Sequence, residues 1–313
     1  MFVSTLPPSS APAQRPLTAA AKVAPAPAPA AAPAGDKLSV TTAAPTHRDG
    51  AVAATDGKPV GFRTTEPAGT PKAIVVMQQG TYGQPQFFDG MGEKLAAQGI
   101  KSYAVGSRVE TTTSTIHADD LDAVVAKARA ENPGVPVTVM GVSLGAMIAL
   151  DWNTRHNAAH VPVVLMSPVV LPKYLGFGDL CKVALGLFSK HFAAAKVESP
   201  MSKGARLTTN PASTEDHLPD AKAMKVPANL FDDVVKMAAR GAWHGRSSTG
   251  PLLVLEAGND QVAANWATGP FMHLIGSKTK TVKKLPGAAH DLSQEYHRAD
   301  VTSSVADWVL GRR

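Results

Sequence analysis

A single cysteine, Cys181, stands in the 313 residues, which excludes an intramolecular disulfide framework; no CxxC or CxxH spacing supplies ligands for a structural zinc. Long apolar runs are missing as well. Gly, Pro or charge breaks each apolar stretch before the roughly 18 consecutive residues that a membrane-spanning helix needs, so the folded part is expected to be soluble. The start of the chain lacks positive charge, and Pro7, Pro8, Pro12 and Pro16 interrupt what would be the apolar centre of a secretory signal. A cytoplasmic location is therefore favoured over a secreted one. Acidic residues are the minority, 25 against 31 Lys and Arg, for a net charge of +6. The densest basic cluster, Lys278, Lys280, Lys283 and Lys284, has no interleaved aromatics and falls on a candidate strand, which suits a solvated surface rather than a nucleic-acid site.

What is present is a hydrophobic fraction of 44%, enough for a buried core. Residues 1–48 are dominated by Ala, Pro, Ser and Thr, a composition that cannot bury a core and whose proline density forbids a continuous helix. They are expected to form a disordered or semi-rigid leader, with one large domain over 49–313. Within it, the segments 60–65, 74–77, 102–105, 137–140, 161–166, 252–256 and 279–285 read as strands. Helical patterns at 87–98, 119–130 and 299–310 fall among them. Asp119 and Asp120 suit the start of the second helix, where the backbone dipole is positive. Strands alternating with helices predict an α/β fold with a mostly parallel sheet covered on both faces. Residues 169–250 break the alternation and read as an insertion. Inside it, Leu180, Val183, Ala184, Leu187 and Phe188 share one helical face, belonging either to a packed helix or to a mobile cap over an apolar pocket.

Gly141-Val142-Ser143-Leu144-Gly145 is a GxSxG string lying between a strand and a helical pattern. That context is what a nucleophile elbow requires, because side chains in place of the glycines would collide with the sharp turn. A serine hydroxyl needs a base, and the base an orienting acid. Asp260 follows the strand at 252–256, and His290 follows the strand at 279–285. Both therefore lie at the carboxyl edge of the sheet, where the elbow opens. Glu256 falls inside a strand, Asp291 is adjacent to His290 rather than facing it, and His297 is close to the last helix, which makes them weaker candidates. For an oxyanion, the backbone N–H of Leu144 is one candidate donor. The N–H of Thr81 is the other, with Gly80 allowing close approach to a substrate carbonyl. A glycine turn without a catalytic role is the alternative reading of that loop.

These residues resemble the α/β-hydrolase family and, within it, the monoglyceride lipase and lysophospholipase group of serine-aminopeptidase-like hydrolases. Its specific matches are the elbow and the Gly287-Ala288-Ala289-His290-Asp291 segment; Asp56-Gly57, Phe62-Arg63 and 69–73 match loosely. The resemblance implies Ser143 as nucleophile, Asp260 as acid, His290 as base, Thr81 and Leu144 as oxyanion donors, and a helical cap at about 169–250 over an acyl-binding pocket. It implies no cofactor and no metal, a lipid-like ester as substrate, no nucleic-acid partner, and transient contact with a membrane surface through the cap. Two departures bear on the substrate. Gln79-Gly80 stands where the family has His-Gly, and Gly106-Ser107-Arg108-Val109-Glu110 where it has Arg-Gly-His-Gly. The expected activity is hydrolysis of a monoacylglycerol or lysophospholipid-like ester. Thioesterase, acyltransferase and aminopeptidase chemistry on the same triad, and a non-catalytic lipid-binding protein, are the alternatives.

Overall fold

The computed structural model describes residues 45–81, 83–108, 114–155, 160–173, 196–198, 205–213, 225–247 and 250–312. The expected leader up to residue 44, the helical face at 180–188 and Cys181 lie outside them. Strands β1 (Thr46–Ala53), β2 (Pro59–Glu66), β3 (Ala73–Gln78), β4 (Ile100–Val105), β5 (Val137–Val142), β6 (Val163–Met166), β9 (Leu252–Ala257) and β10 (Lys280–Leu285) form an eight-stranded sheet. Its order is β1-β2-β4-β3-β5-β6-β9-β10. β1 and β2 pair antiparallel, as do β2 and β4, and the remaining pairs are parallel. Every residue of β3, β4 and β5 is buried, and in β3 and β5 the apolar, β-branched runs without alternation are what strands covered on both faces imply.

Helices α1 (Asp89–Ala96), α2 (Ser114–Glu131), α3 (Leu144–Arg155), α4 (Ala228–His244), α5 (Asn265–His273) and α6 (Ala299–Val309) supply the covering layers. One face of the sheet packs against Leu121, Met147, Leu150, Val234, Met237 and Phe271 from α2, α3, α4 and α5. On the other face, Met91 and Leu95 of α1 and Val301 and Val305 of α6 form a second core. Among the described residues, no helix is long and apolar enough to cross a membrane.

Three elements differ from the reading above. β1 opens at Thr46, inside the stretch assigned to the leader; its residues are exposed or half-buried, so they carry no apolar signature. α2 begins at Ser114, so Asp119 and Asp120 sit beyond its first turn and bind Arg155 and Arg108 instead of the helix end. α4 lies in the stretch expected to form the cap, yet Val234 and Met237 are part of the main core. The fully buried Asp151 of α3 also pairs with Arg240 of α4 at 2.7 Å. The remainder of that stretch contributes two short strands among the described residues, β7 (Lys196–Glu198) and β8 (Lys225–Pro227), paired antiparallel. The basic cluster lies at the sheet edge on and beside β10, where Lys280 Nζ donates to the carbonyls of Met272 and Ile275 and Lys283 Nζ donates to Ser304 Oγ. Lysines on an unpaired edge also deter strand-to-strand association.

Candidate active site

β5 ends in the elbow. Ser143 has a φ of +57°, a left-handed conformation costing about 1–3 kcal/mol that surrounding structure must enforce. The enforcement is visible in the flanking glycines. A Cβ on Gly141 would lie 2.1 Å from Gly145 O, and one on Gly145 would lie 2.2 Å from Gln78 O. Ser143 N–H donates to Met166 O at 2.9 Å, tying the turn to the end of β6.

β9 and β10 run parallel to β5 and so deliver their following turns to the same edge. The turn after β9 holds Asp260 and the turn after β10 holds His290; the two turns are joined by Asn259 N–H to Ala288 O at 2.9 Å and Gly258 N–H to Leu285 O at 2.8 Å. His290 Nε2 lies 2.8 Å from Ser143 Oγ, while His290 Nδ1 lies 2.8 and 2.9 Å from the two carboxylate oxygens of Asp260. Because an ionised carboxylate only accepts, Nδ1 carries the proton and Nε2 is left to accept from the serine hydroxyl. Burial works against the charge on Asp260, but the facing imidazole and the N–H groups of Ala263 and Val262 outweigh it and hold the carboxyl below its ordinary pKa. Those two N–H groups donate to Oδ1 at 2.8 Å each. Lys173 Nζ donates to Asp260 O at 2.8 Å, and Lys173 N–H to Val262 O at 2.7 Å, anchoring the turn from the start of the inserted stretch.

The weaker candidates are set aside by position. Glu256 lies within β9 and His297 precedes α6. The Asp291 carboxylate accepts from Ser293 N–H, Ser293 Oγ–H and Gln79 Nε2, the last at 3.2 Å. Leu144 is the first residue of α3, where backbone N–H groups have no intrahelical acceptor. Thr81 follows Gly80 in the turn after β3. A Cβ on Gly80 would lie 3.0 Å from Ser143 Cβ, a tight contact that glycine avoids where this strand end passes Ser143. Gln79 is a residue that reasoning from the sequence did not place. Its replacement of the family's histidine was the available signal, and its amide ties the turn after β3 to the residue following His290. Arg108, in the other departure, pairs with Asp56 at 2.9 Å and with Asp120. Among the described residues, no group of three or more His, Cys, Asp or Glu side chains is set to hold a metal ion.

Comparison with known proteins agrees with this architecture. The serine aminopeptidase, S33, family profile matches residues 69–297. A monoacylglycerol lipase of Mycolicibacterium smegmatis is 20% identical over 284 residues, covering 85% of this chain and 98% of that protein. Phospholipase YtpA of Bacillus subtilis is 25% identical over 191 residues, 59% of this chain and 71% of that one. The crystal structure of a soluble variant of monoglyceride lipase from Saccharomyces cerevisiae, in complex with a substrate analogue, superposes with a TM-score of 0.69 at 15% identity, covering 88% and 98% of the two chains. The chain thus belongs to the serine aminopeptidase, S33, family and has the α/β-hydrolase fold of the monoglyceride lipase type.

Proposed function

We propose that the chain is a serine hydrolase that cleaves the ester bond of a monoacylglycerol or a lysophospholipid-like lipid. The observation that carries this reading is the hydrogen-bonded row Ser143, His290, Asp260 at one sheet edge. Ser143 Oγ attacks the ester carbonyl while His290 Nε2 takes its proton, and Asp260 stabilises the resulting imidazolium. The N–H groups of Thr81 and Leu144 receive the negative oxygen of the tetrahedral intermediate. Its collapse releases the alcohol, protonated by His290, and leaves an acyl-serine. Water, deprotonated by the same imidazole, then releases the fatty acid and restores the hydroxyl. Neither a metal nor an organic cofactor enters any of these steps.

The lipid substrate class is supported by the relatives named for monoacylglycerol and phospholipid cleavage. Transient contact with a lipid surface belongs to the same reading. Leu171, whose carbonyl accepts from Ala264 N–H, is 39% exposed, and Trp266, which follows closely after Ala264 in the chain, is 75% exposed. The family's description as aminopeptidases favours one second reading, removal of an N-terminal residue from a peptide by the same triad. Turnover of a monoacylglycerol, a lysophospholipid, an acyl thioester and an aminoacyl amide, measured side by side, separates the two. Ser143→Ala is expected to abolish ester turnover with circular dichroism unchanged; comparable turnover in the folded variant would contradict the proposal.

A further inference from the structure

Residues 205–213 lie in the stretch between β6 and β9, and they are tied to both turns that hold the proposed acid and base. Toward the Asp260 turn, Arg206 N–H donates to Gln261 Oε1 at 3.0 Å. Toward the His290 turn, Asp291 N–H donates to Leu207 O at 2.7 Å. Asn210 Nδ2 donates to Gln294 O at 2.8 Å and Ser213 Oγ to Gln294 Oε1 at 2.9 Å. Central to the contact is Glu295, which is fully buried. Its Oε1 accepts from Thr208 Oγ1 at 2.9 Å and from Thr209 N–H, and its Oε2 accepts from Thr209 Oγ1 at 2.6 Å.

A carboxylate taken wholly out of water is strongly unfavourable unless its oxygens are satisfied. Here both oxygens are satisfied by residues 208 and 209 of the inserted stretch. Glu295 therefore holds these residues against the loop that begins at His290. The same loop is fastened on its other side, because Asp291 accepts from Gln79 and Gln294 Nε2 donates to Phe87 O. Residues 205–213 thus join the turn that holds Asp260 to the turn that carries the His290 imidazole.

Building on the triad reading above, we propose that residues 205–213 act as a strap and Glu295 as a positioning residue, keeping the His290 imidazole in line between Asp260 and Ser143. The strap makes the geometry of the triad depend on the seating of the inserted stretch. Glu295 touches no reacting atom; it acts through the turn.

The test compares the full chain with Glu295→Ala, Glu295→Gln and the double variant Thr208→Val/Thr209→Val. Turnover is normalised to sites titrated by a fluorophosphonate. Misplacement by about 1 Å can cost about 100-fold, so kcat is expected to fall about 10- to 100-fold in Glu295→Ala and in the double variant, with KM nearly unchanged. Glu295→Gln keeps an acceptor oxygen for Thr208 and Thr209 N–H and is expected to recover most of the loss. The downfield proton resonance of His290 Nδ1–H, bonded to Asp260, is expected to broaden or vanish in Glu295→Ala well below its melting temperature. Unchanged turnover per titrated site and an unchanged resonance, with only a lowered melting temperature, would overturn the proposal. If the wild type neither labels nor turns over esters, the triad reading fails, and the resonance alone decides the strap. If Glu295→Ala does not fold, the double variant carries the same comparison.

Discussion

At Asp260 the balance of forces is set by few atoms: burial opposes the charge, and one imidazole with two backbone N–H groups restores it. Asp260→Asn preserves the shape but presents an amide donor to groups that themselves donate, favouring the wrong imidazole tautomer. A fall in kcat of about 10⁴-fold is expected, read from single-turnover or steady-state ester hydrolysis. The sign of its pH dependence follows from the lowered pKa. Its stabilising contribution is complete above the ordinary carboxyl value of 3.8 and is lost as pH falls through the lowered value. Denaturant unfolding of wild type and Asp260→Asn is therefore expected to show a stability gap persisting down to that ordinary value and closing only below it; a gap that closes at higher pH would contradict this account. The elbow glycines are equally constrained. A methyl on Gly145 would meet the Gln78 carbonyl at 2.2 Å, so Gly145→Ala is expected to destabilise by at least about 1–3 kcal/mol, read as a lower urea midpoint. That Ser143, Asp260 and His290 converge was legible in the sequence, because each follows a strand that ends at one edge. Gln79 and Glu295 were not, since their roles depend on partners distant in the chain.

Among the elements, β3, β5, β6 and β9 were legible as continuous apolar runs, the signature of strands buried on both faces. β1 escaped because Thr46–Ala53 is antiparallel, peripheral and mostly exposed, which removes the apolar bias that marks a central strand. α4 falls in the stretch read as the cap insertion for a different reason. Its place in the chain follows the break in alternation, while its packing is set by the close approach of Gly241, where a Cβ would touch Leu150 Cδ2 at 3.2 Å and Phe271 Cζ at 3.1 Å. Met237 on this helix is 1% exposed within the main core. Met237→Ala is expected to lower the unfolding free energy by about 2–5 kcal/mol, measured by urea titration. A negligible change would mean that α4 moves independently of the sheet, as a cap element would.

For the whole molecule, two cores on opposite faces fix the sheet, and the parallel strands bring three widely separated sequence positions to one edge. Among the described residues, the inserted stretch touches that edge through Lys173 beside Asp260 and through residues 205–213 beside both turns. The fold class, a mostly parallel sheet covered on both faces, was legible from the alternation of strands and helices, but the strand order and the way the insertion braces the site were not, because hydrogen bonds between loops leave no periodic trace. The central claim is that this assembly activates Ser143, and fluorophosphonate labelling with peptide mapping tests it most directly. Modification at Ser143 in the wild type, lost in His290→Ala, is the expected result. Folded wild-type protein that resists the probe, or that is labelled equally after His290→Ala, would contradict it.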